Sequence, residues 1–173
     1  MSEIKMTRSW TMPNKNTFRI KPIKELIERT IEFYKPIEII EPFANTSTYG
    51  TITNDLNPIY NTTYNLDAIE FLKLLPDDSA DMVLYDPPFS SRQISECYKG
   101  FGKVPDGNYT TAAFWSKQKD EISRITKSGG VVISFGWNSN GMGMSRSFDI
   151  VEILIVAHGG PHNDTICTVD IKR

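Results

Sequence analysis

The hydrophobic and polar positions of this chain switch along its length between helical spacing and strand-like runs. Apolar side chains recur at helical spacing over residues 22–34, 68–75 and 111–126, and this pattern predicts three helices. Short β-rich runs predict strands at residues 37–43, 50–55, 62–65, 81–85, 131–137, 148–157 and 165–171. The alternation of strands and helices indicates parallel pairing, and the last two strands should form an antiparallel hairpin. The sequence therefore predicts an α/β fold.

Length and composition fit one domain. A chain of 173 residues can bury one sizeable core, so we expect residues 1–173 to form a single compact domain without a separate target recognition domain. No apolar stretch is long enough to span a bilayer and no secretory leader is evident, which favours a soluble, cytoplasmic protein without a membrane partner. Cys97 and Cys167 lack metal-ligand spacing, and His158 and His162 lack a third ligand nearby, so no metal site is predicted.

The overall charge does not by itself favour binding to a polyanion, because the net charge is −2 and the pI is near 5.7. Basic residues are nevertheless concentrated near the N-terminus, where they predict either a positive face or an ordinary solvated surface. These residues are Lys5, Arg8, Lys15, Arg19, Lys21 and Lys24. Residues 90–110 also interleave aromatic and lysine side chains, and this segment predicts either a nucleic-acid contact or a loop folded back on the core.

The strongest chemical signal follows the predicted strand at residues 81–85. The sequence there is Asp86-Pro87-Pro88-Phe89, in which two prolines fix the backbone and remove two donors. Asp86 and the Pro87 carbonyl can then act as rigid acceptors for an exocyclic amine, and Phe89 offers a flat surface for an extruded base. The alternative interpretation is a helix N-cap at Asp86 followed by proline in the first turn. Acidic residues near the ends of earlier strands favour the catalytic interpretation.

The tetrapeptide and these acidic residues resemble the class I, Rossmann-like methyltransferases that use S-adenosylmethionine. Within them the chain resembles the amino-methyltransferases of DNA adenine, whose hallmark is Asp/Asn/Ser-Pro-Pro-Tyr/Phe/Trp. The resemblance covers nearly the whole chain. It implies a mostly parallel seven-stranded sheet with a C-terminal antiparallel hairpin, helices on both faces, and methyl transfer to the N6 amine of adenine. The catalytic residues implied are Asp86, Pro87, Pro88 and Phe89.

The resemblance also implies positions that bind the cofactor. Glu41 to Asn45 stand at the family's cofactor loop, Asp55 and Leu56 at the ribose site, and Asp67 and Ala68 where the adenine amine of the cofactor binds. A motif before the first helix contacts the methionine part of the cofactor. The full set is Phe18, Lys21, Pro22, Glu41, Pro42, Phe43, Ala44, Asn45, Asp55, Leu56, Asp67 and Ala68.

The sequence departs from the family pattern in two places. Asn45 and Ser47 replace the usual glycines of the cofactor loop, and the short spacing to Asp55 predicts a shortened first crossover. Because we expect no separate recognition domain, DNA specificity would come from residues 90–110, the basic N-terminus, a second copy of the chain or a partner protein. Two other functions remain open, a guanine-N2 RNA methyltransferase and a non-catalytic methyltransferase-fold subunit that supports an active partner.

Overall fold

One mixed sheet organises the residues that the computed structural model describes, which are 3–100 and 112–173. The strands are β1 (Lys5–Trp10), β2 (Ile39–Glu41), β3 (Ile52–Thr53), β4 (Ala80–Tyr85), β5 (Thr126–Gly136), β6 (Phe148–Ala157) and β7 (Thr165–Lys172). The helices are α1 (Lys21–Tyr34), α2 (Ala68–Leu74), α3 (Ser91–Lys99) and α4 (Ala112–Ile125).

The strand order across the sheet is β1-β6-β7-β5-β4-β2-β3. Parallel pairs join β1 to β6, β2 to β3, β2 to β4, and β4 to β5. Strand β7 is antiparallel to both of its neighbours, β5 and β6. The structure therefore confirms a mostly parallel seven-stranded sheet with an antiparallel C-terminal pair.

The side chains of β4 alternate between two apolar layers. Met82 and Leu84 pack with α1 on one face, whereas Val83 and Tyr85 pack with α2 and α4 on the other. A strand that is buried on both faces has a nearly continuous run of apolar residues, and the sequence of β4 shows this pattern. Helices cover both faces of the sheet, as expected.

The N-terminal strand β1 was not among the predicted strands. Its residues are almost all exposed and it lies at the edge of the sheet, so it carries no alternation of buried and exposed side chains. Residues 62–65, predicted as a strand, contribute only an isolated bridge between Asn54 and Tyr64. Seven strands were predicted and the described residues form seven, but β1 is one of them and residues 62–65 are not.

The connection from β2 to β3 contains no helix. Residues 42–51 instead turn tightly, with the Ala44 amide donating to the Asn54 carbonyl over 2.8 Å and the Thr51 amide donating to the Ile39 carbonyl over 2.8 Å. Asn45 adopts a left-handed conformation with φ 50, which asparagine tolerates better than most residues. The shortened first crossover is thus confirmed.

The prediction of a long loop at residues 90–110 was wrong for its first half, because residues 91–99 form α3. Ser90 caps this helix, and Ile94 and Tyr98 are buried. The rest of the predicted contact segment, residues 101–110, lies outside the described residues. Within the described ranges, no helix is both long and apolar enough to cross a membrane.

Candidate active site

The carboxyl ends of the parallel strands β2, β3 and β4 open into a cleft, the usual position of ligands in an open α/β sheet. The larger part of the cleft is a cavity of about 330 Å³. It brings together ten of the residues predicted from the sequence: Pro42, Phe43, Asn45, Asp55, Leu56, Ala68, Asp86, Pro87, Pro88 and Phe89. An adjoining cavity of about 260 Å³ shares Lys15, Thr17, Phe43, Asn45 and Asp86 with it and adds Phe18 and Ala44. We call the two cavities the carboxyl-end cleft.

Asp86 directly follows β4 and lines both parts of the carboxyl-end cleft. Burial raises the pKa of its carboxyl group to about 7, and a hydrogen bond with the Thr17 side chain opposes this rise. Asp86 does not cap a helix, since the cap of α3 is Ser90, whose hydroxyl accepts the Gln93 amide at 3.2 Å. The N-cap interpretation of the motif is therefore wrong.

Side chains from two helices brace the turn after Asp86. The indole Nε1 of Trp115 donates to the Pro88 carbonyl over 2.9 Å, and the Phe89 amide donates to Gln93 Oε1 over 2.6 Å. Neither Trp115 nor Gln93 was predicted as a site residue. The sequence carries a signal for Gln93, because Ser90 and Gln93 have the Ser-x-x-Gln spacing of a capping box at the start of a helix.

Glu41 lies beneath the turn at residues 42–51 rather than along either cavity of the carboxyl-end cleft. Its side chain is fully buried, and the Ser47 hydroxyl donates to Glu41 Oε1 over 2.8 Å. Burial raises the Glu41 pKa to about 7. Hydrogen bonds from Ser47 and the Gly50 amide oppose the rise, while the negative charge of Asp86 adds to it. Glu41 and Asp86 are thus electrostatically coupled.

Asp55 joins the end of β3 to the turn at residues 42–51. Its Oδ2 accepts the Asn45 amide and its Oδ1 accepts the Asn57 amide, each over 2.9 Å. Burial raises the Asp55 pKa, and these two amides oppose the rise. Because a carboxylate oxygen can accept more than one hydrogen bond, Asp55 keeps acceptor capacity toward the cavity that it lines.

Besides Glu41, three residues predicted to bind the cofactor lie outside both cavities of the carboxyl-end cleft. Asp67 lines neither cavity; its side chain caps α2 through the Ile69 amide, at 2.9 Å, and accepts the Tyr98 hydroxyl. Lys21 and Pro22 form the first turn of α1 and also lie outside the carboxyl-end cleft. Their contacts with a cofactor stay predictions.

Glutamates partly neutralise the basic N-terminal segment. Lys5 lies 3.2 Å from Glu152, Lys21 lies 3.9 Å from Glu25, and Lys24 lies 3.7 Å from Glu28. Lys15, Arg19 and Lys24 line the smaller cavity of the carboxyl-end cleft. Three of the six basic residues predicted at this end of the chain therefore border the cleft, and one of them, Lys24, is paired with Glu28.

A third cavity, of about 290 Å³, lies on the other side of the Pro-Pro turn. We call it the aromatic cavity, because Phe89, Trp115 and Trp137 form its walls together with Pro87, Lys119 and Ser134. The rings of Phe89 and Trp137 meet edge to face, with their centroids 5.9 Å apart. Pro87 and Phe89 line both this cavity and the carboxyl-end cleft, so the turn stands between two sites.

Neither histidine points to a metal site. His158 is buried, and its ring nitrogens contact the Thr11 carbonyl at 3.0 Å and the Thr165 hydroxyl at 2.8 Å. Across residues 3–100 and 112–173, no group of three or more His, Cys, Asp or Glu side chains is placed to hold a metal ion.

No protein-family model matches the sequence. No curated protein matches it either. Solved structures do match the fold. The N-methyltransferase NodS of Bradyrhizobium japonicum WM9 aligns with a TM-score of 0.56 at 9% identity, over 92% of this chain and 99% of NodS. TrmN of Thermus thermophilus aligns with a TM-score of 0.55 at 13% identity, over 92% of this chain and 50% of TrmN.

The structure of SMU.776, solved as a complex with SAH, aligns with a TM-score of 0.50 at 10% identity, over 78% of this chain and 45% of that one. Identities of this size show the fold alone. The fold of the chain is the Rossmann-like methyltransferase fold.

Proposed function

We propose that the chain is an S-adenosylmethionine-dependent methyltransferase that acts on the N6 amine of adenine in DNA. The observation that carries this proposal is the position of the Asp86–Phe89 turn between the carboxyl-end cleft and the aromatic cavity. Group transfer requires a donor site and an acceptor site that meet at the reacting atoms. Pro87 and Phe89 line both cavities, and this shared lining supports a meeting point at the turn.

The lining of the carboxyl-end cleft fits the cofactor. Asp55 has acceptor capacity for ribose hydroxyls, Phe43 and Leu56 offer apolar surface to the adenine ring, and Lys15 supplies a cation for the methionine carboxylate. When bound there, S-adenosylmethionine supplies an electrophilic methyl group on a sulfonium centre. The likeness to SMU.776, which was solved with SAH, supports this choice of cofactor.

The turn supplies the chemistry of the acceptor. An exocyclic amine is a weak nucleophile because its lone pair is delocalised into the ring. The Asp86 carboxylate and the Pro87 carbonyl accept the two amine hydrogens and favour a pyramidal nitrogen whose lone pair is available for attack. The new nitrogen–methyl bond forms as the sulfonium–methyl bond breaks, and one amine proton leaves by way of Asp86 to solvent.

The aromatic cavity would hold the flipped base. Its rings, Phe89, Trp115 and Trp137, can enclose the flat faces of a nucleobase, and a base must leave the duplex for its amine to reach Asp86. We expect a second copy of the chain or a partner protein to contribute sequence recognition. A single monomer peak in light scattering together with full activity at high dilution would contradict that expectation.

The test is transfer of radiolabelled methyl groups to double-stranded DNA, single-stranded DNA and RNA, followed by nucleoside digestion. Wild-type protein should produce N6-methyladenine from DNA, and Asp86→Asn, which keeps the size of the side chain, should produce none. Asp120→Asn, at an exposed residue of α4, is the matched control and should retain activity.

Other products would identify other functions. N2-methylguanine from RNA would replace the DNA assignment with the guanine enzyme. Calorimetric titration with S-adenosylmethionine separates the remaining cases. Binding without transfer would indicate a missing partner, and absence of binding would favour a non-catalytic subunit.

A further inference from the structure

The aromatic cavity contains polar groups that the methyl-transfer step does not use. Lys119 and Ser134 both line it. Ser134 is nine-tenths buried, and its hydroxyl has no hydrogen-bond partner within the part of the chain that the structure describes. Because proteins rarely leave a buried hydroxyl unpaired, Ser134 points to an occupant of the cavity that carries a hydrogen-bonding atom.

Lys119 is held in place by the loop that follows β5. Its ammonium group donates to the Gly141 carbonyl, and the neighbouring Met142 amide donates to Asp170 Oδ1 over 3.2 Å. Gly141 has φ +51, and a Cβ at this position would lie 2.5 Å from Asp170 Oδ1. Lys119 and the fully buried Asp170 therefore each form a hydrogen bond with the loop.

The ammonium group of Lys119 has hydrogen-bonding capacity beyond Gly141. An ammonium carries three N–H donors, and Gly141 takes one of them. Partial burial lowers the Lys119 pKa, the charge of Arg146 lowers it further, and the charge of Asp170 opposes both. A fixed, partly desolvated donor at the wall of a cavity is suited to recognition, because its hydrogen bonds compete poorly with bulk water.

We infer that Lys119 and Ser134 recognise the acceptor ring by donating hydrogen bonds to the ring nitrogens on either side of the reactive amine. The inference rests on the proposed function and specifies its substrate class, an aminopurine with unprotonated nitrogens next to the amine. In adenine both N1 and N7 meet this requirement. Phe89, Trp115 and Trp137 contact the flat faces of any base, whereas Lys119 and Ser134 bind the hydrogen-bonding edge of an aminopurine.

The test uses DNA in which one mapped target adenine is replaced by 1-deazaadenine or by 7-deazaadenine. Each analogue keeps the amine and loses one ring acceptor. For wild-type protein, kcat/KM should fall about 10- to 100-fold on at least one analogue, the effect of losing a hydrogen bond to a charged donor. In Lys119→Met or Ser134→Ala, the ratio of kcat/KM on adenine to kcat/KM on that analogue should shrink to about twofold or less.

Lys117→Met is the matched control, because Lys117 is an exposed lysine on the same helix. This variant should discriminate against the analogue as the wild-type protein does. Ser134→Ala removes one oxygen atom from the cavity and keeps the test decisive if Lys119→Met does not fold. A purely structural role for Lys119 would lower activity on adenine and its analogues equally, and would leave their ratio unchanged.

The outcomes separate this inference from the function on which it rests. A wild-type protein that does not methylate adenine at all overturns the proposed function. A wild-type protein that methylates adenine and both analogues equally overturns the recognition role alone. Unchanged discrimination in both Lys119→Met and Ser134→Ala overturns it as well.

Discussion

The indole nitrogen of Trp115 lies 2.9 Å from the carbonyl oxygen of Pro88 and donates a hydrogen bond to it. Trp115 belongs to α4, and Pro88 belongs to the turn that follows β4. The bond fixes the turn from outside its own strand, since two consecutive prolines cannot donate backbone hydrogen bonds within it. The orientation of the Asp86–Phe89 motif therefore depends on a helix that begins more than twenty residues later in the chain.

Trp115→Phe should lower kcat by about three- to tenfold while leaving cofactor affinity unchanged. The substitution keeps an aromatic ring and removes one hydrogen bond, worth about 0.5–1.5 kcal/mol. Single-turnover methyl transfer and calorimetric titration would measure the two effects. Trp10→Phe, at an exposed tryptophan of β1, is the control and should change neither quantity. An unchanged rate in Trp115→Phe would show that the prolines alone hold the turn.

Methyl transfer should depend on pH through Asp86. Burial raises the pKa of this group to about 7, and only the ionised carboxylate can both accept a hydrogen bond from the amine and take up its proton. The kcat/KM should therefore increase as pH rises from 5.5 to 8, with a midpoint near 7. Glu41→Gln removes a neighbouring negative charge, so its midpoint should move to lower pH. A flat profile over this range would exclude Asp86 as an ionised acceptor.

Protein stability should depend on pH through Glu41 in the opposite direction. Its pKa is raised from 4.5 to about 7 in the folded state, so folding favours the protonated form. The stabilisation from this proton is complete below pH 4 and is lost as pH rises through 7. In urea unfolding at pH 8, Glu41→Gln should be more stable than wild type, by on the order of 1–3 kcal/mol. At pH 4 the two proteins should be similar, and a constant difference across pH would contradict this assignment.

Asp55→Asn should weaken binding of S-adenosylmethionine by about 10- to 100-fold, the effect of losing a charged acceptor. The structure adds a second effect, because Asp55 also accepts the Asn45 and Asn57 amides. An asparagine retains one acceptor oxygen, so the loop loses one of these bonds and the melting temperature should fall modestly. Asp78→Asn is the control, since its left-handed backbone tolerates asparagine and it lies outside the carboxyl-end cleft. Unchanged affinity would place the ribose site elsewhere.

Gly50→Ala should destabilise the fold by about 1–3 kcal/mol, as overpacking a close contact does. A Cβ at this position would lie 2.8 Å from Thr53 Cγ2 and 3.0 Å from Glu41 Cγ. Gly136→Ala is the comparison for stability, because a Cβ there meets nothing within 4 Å. Denaturant unfolding measures both variants. Equal stability would mean that the short connection from β2 to β3 can move aside.

The sequence predicted the elements whose burial is periodic. Helices α1 and α4 and strand β4 each carry an uninterrupted apolar pattern, and each was placed within a few residues of its bounds. The Asp86–Phe89 motif and most of its predicted neighbours were also brought together, because acidic residues at the ends of parallel strands meet at one edge of the sheet.

The elements and contacts that the sequence did not predict depend on tertiary packing. Strand β1 is exposed on both faces, so pairing with β6 rather than burial determines its conformation. The burial of Glu41 depends on the tight turn at residues 42–51 that folds over it, and no local pattern encodes this closure. The same holds for Trp115, whose partner Pro88 comes from another element.

The pairing of β1 with β6 determines the order in which the molecule can be completed. Lys5 lies beside Glu152 and Trp10 beside Ala157, so among the strands that the structure describes β1 pairs only with one that comes much later in the sequence. During synthesis on the ribosome, β1 emerges before β6 and cannot pair until β6 has left the exit tunnel. A pairing of such long range is slow to form. The edge of the sheet should therefore close last, after the sites at the carboxyl ends of β2, β3 and β4 have taken shape.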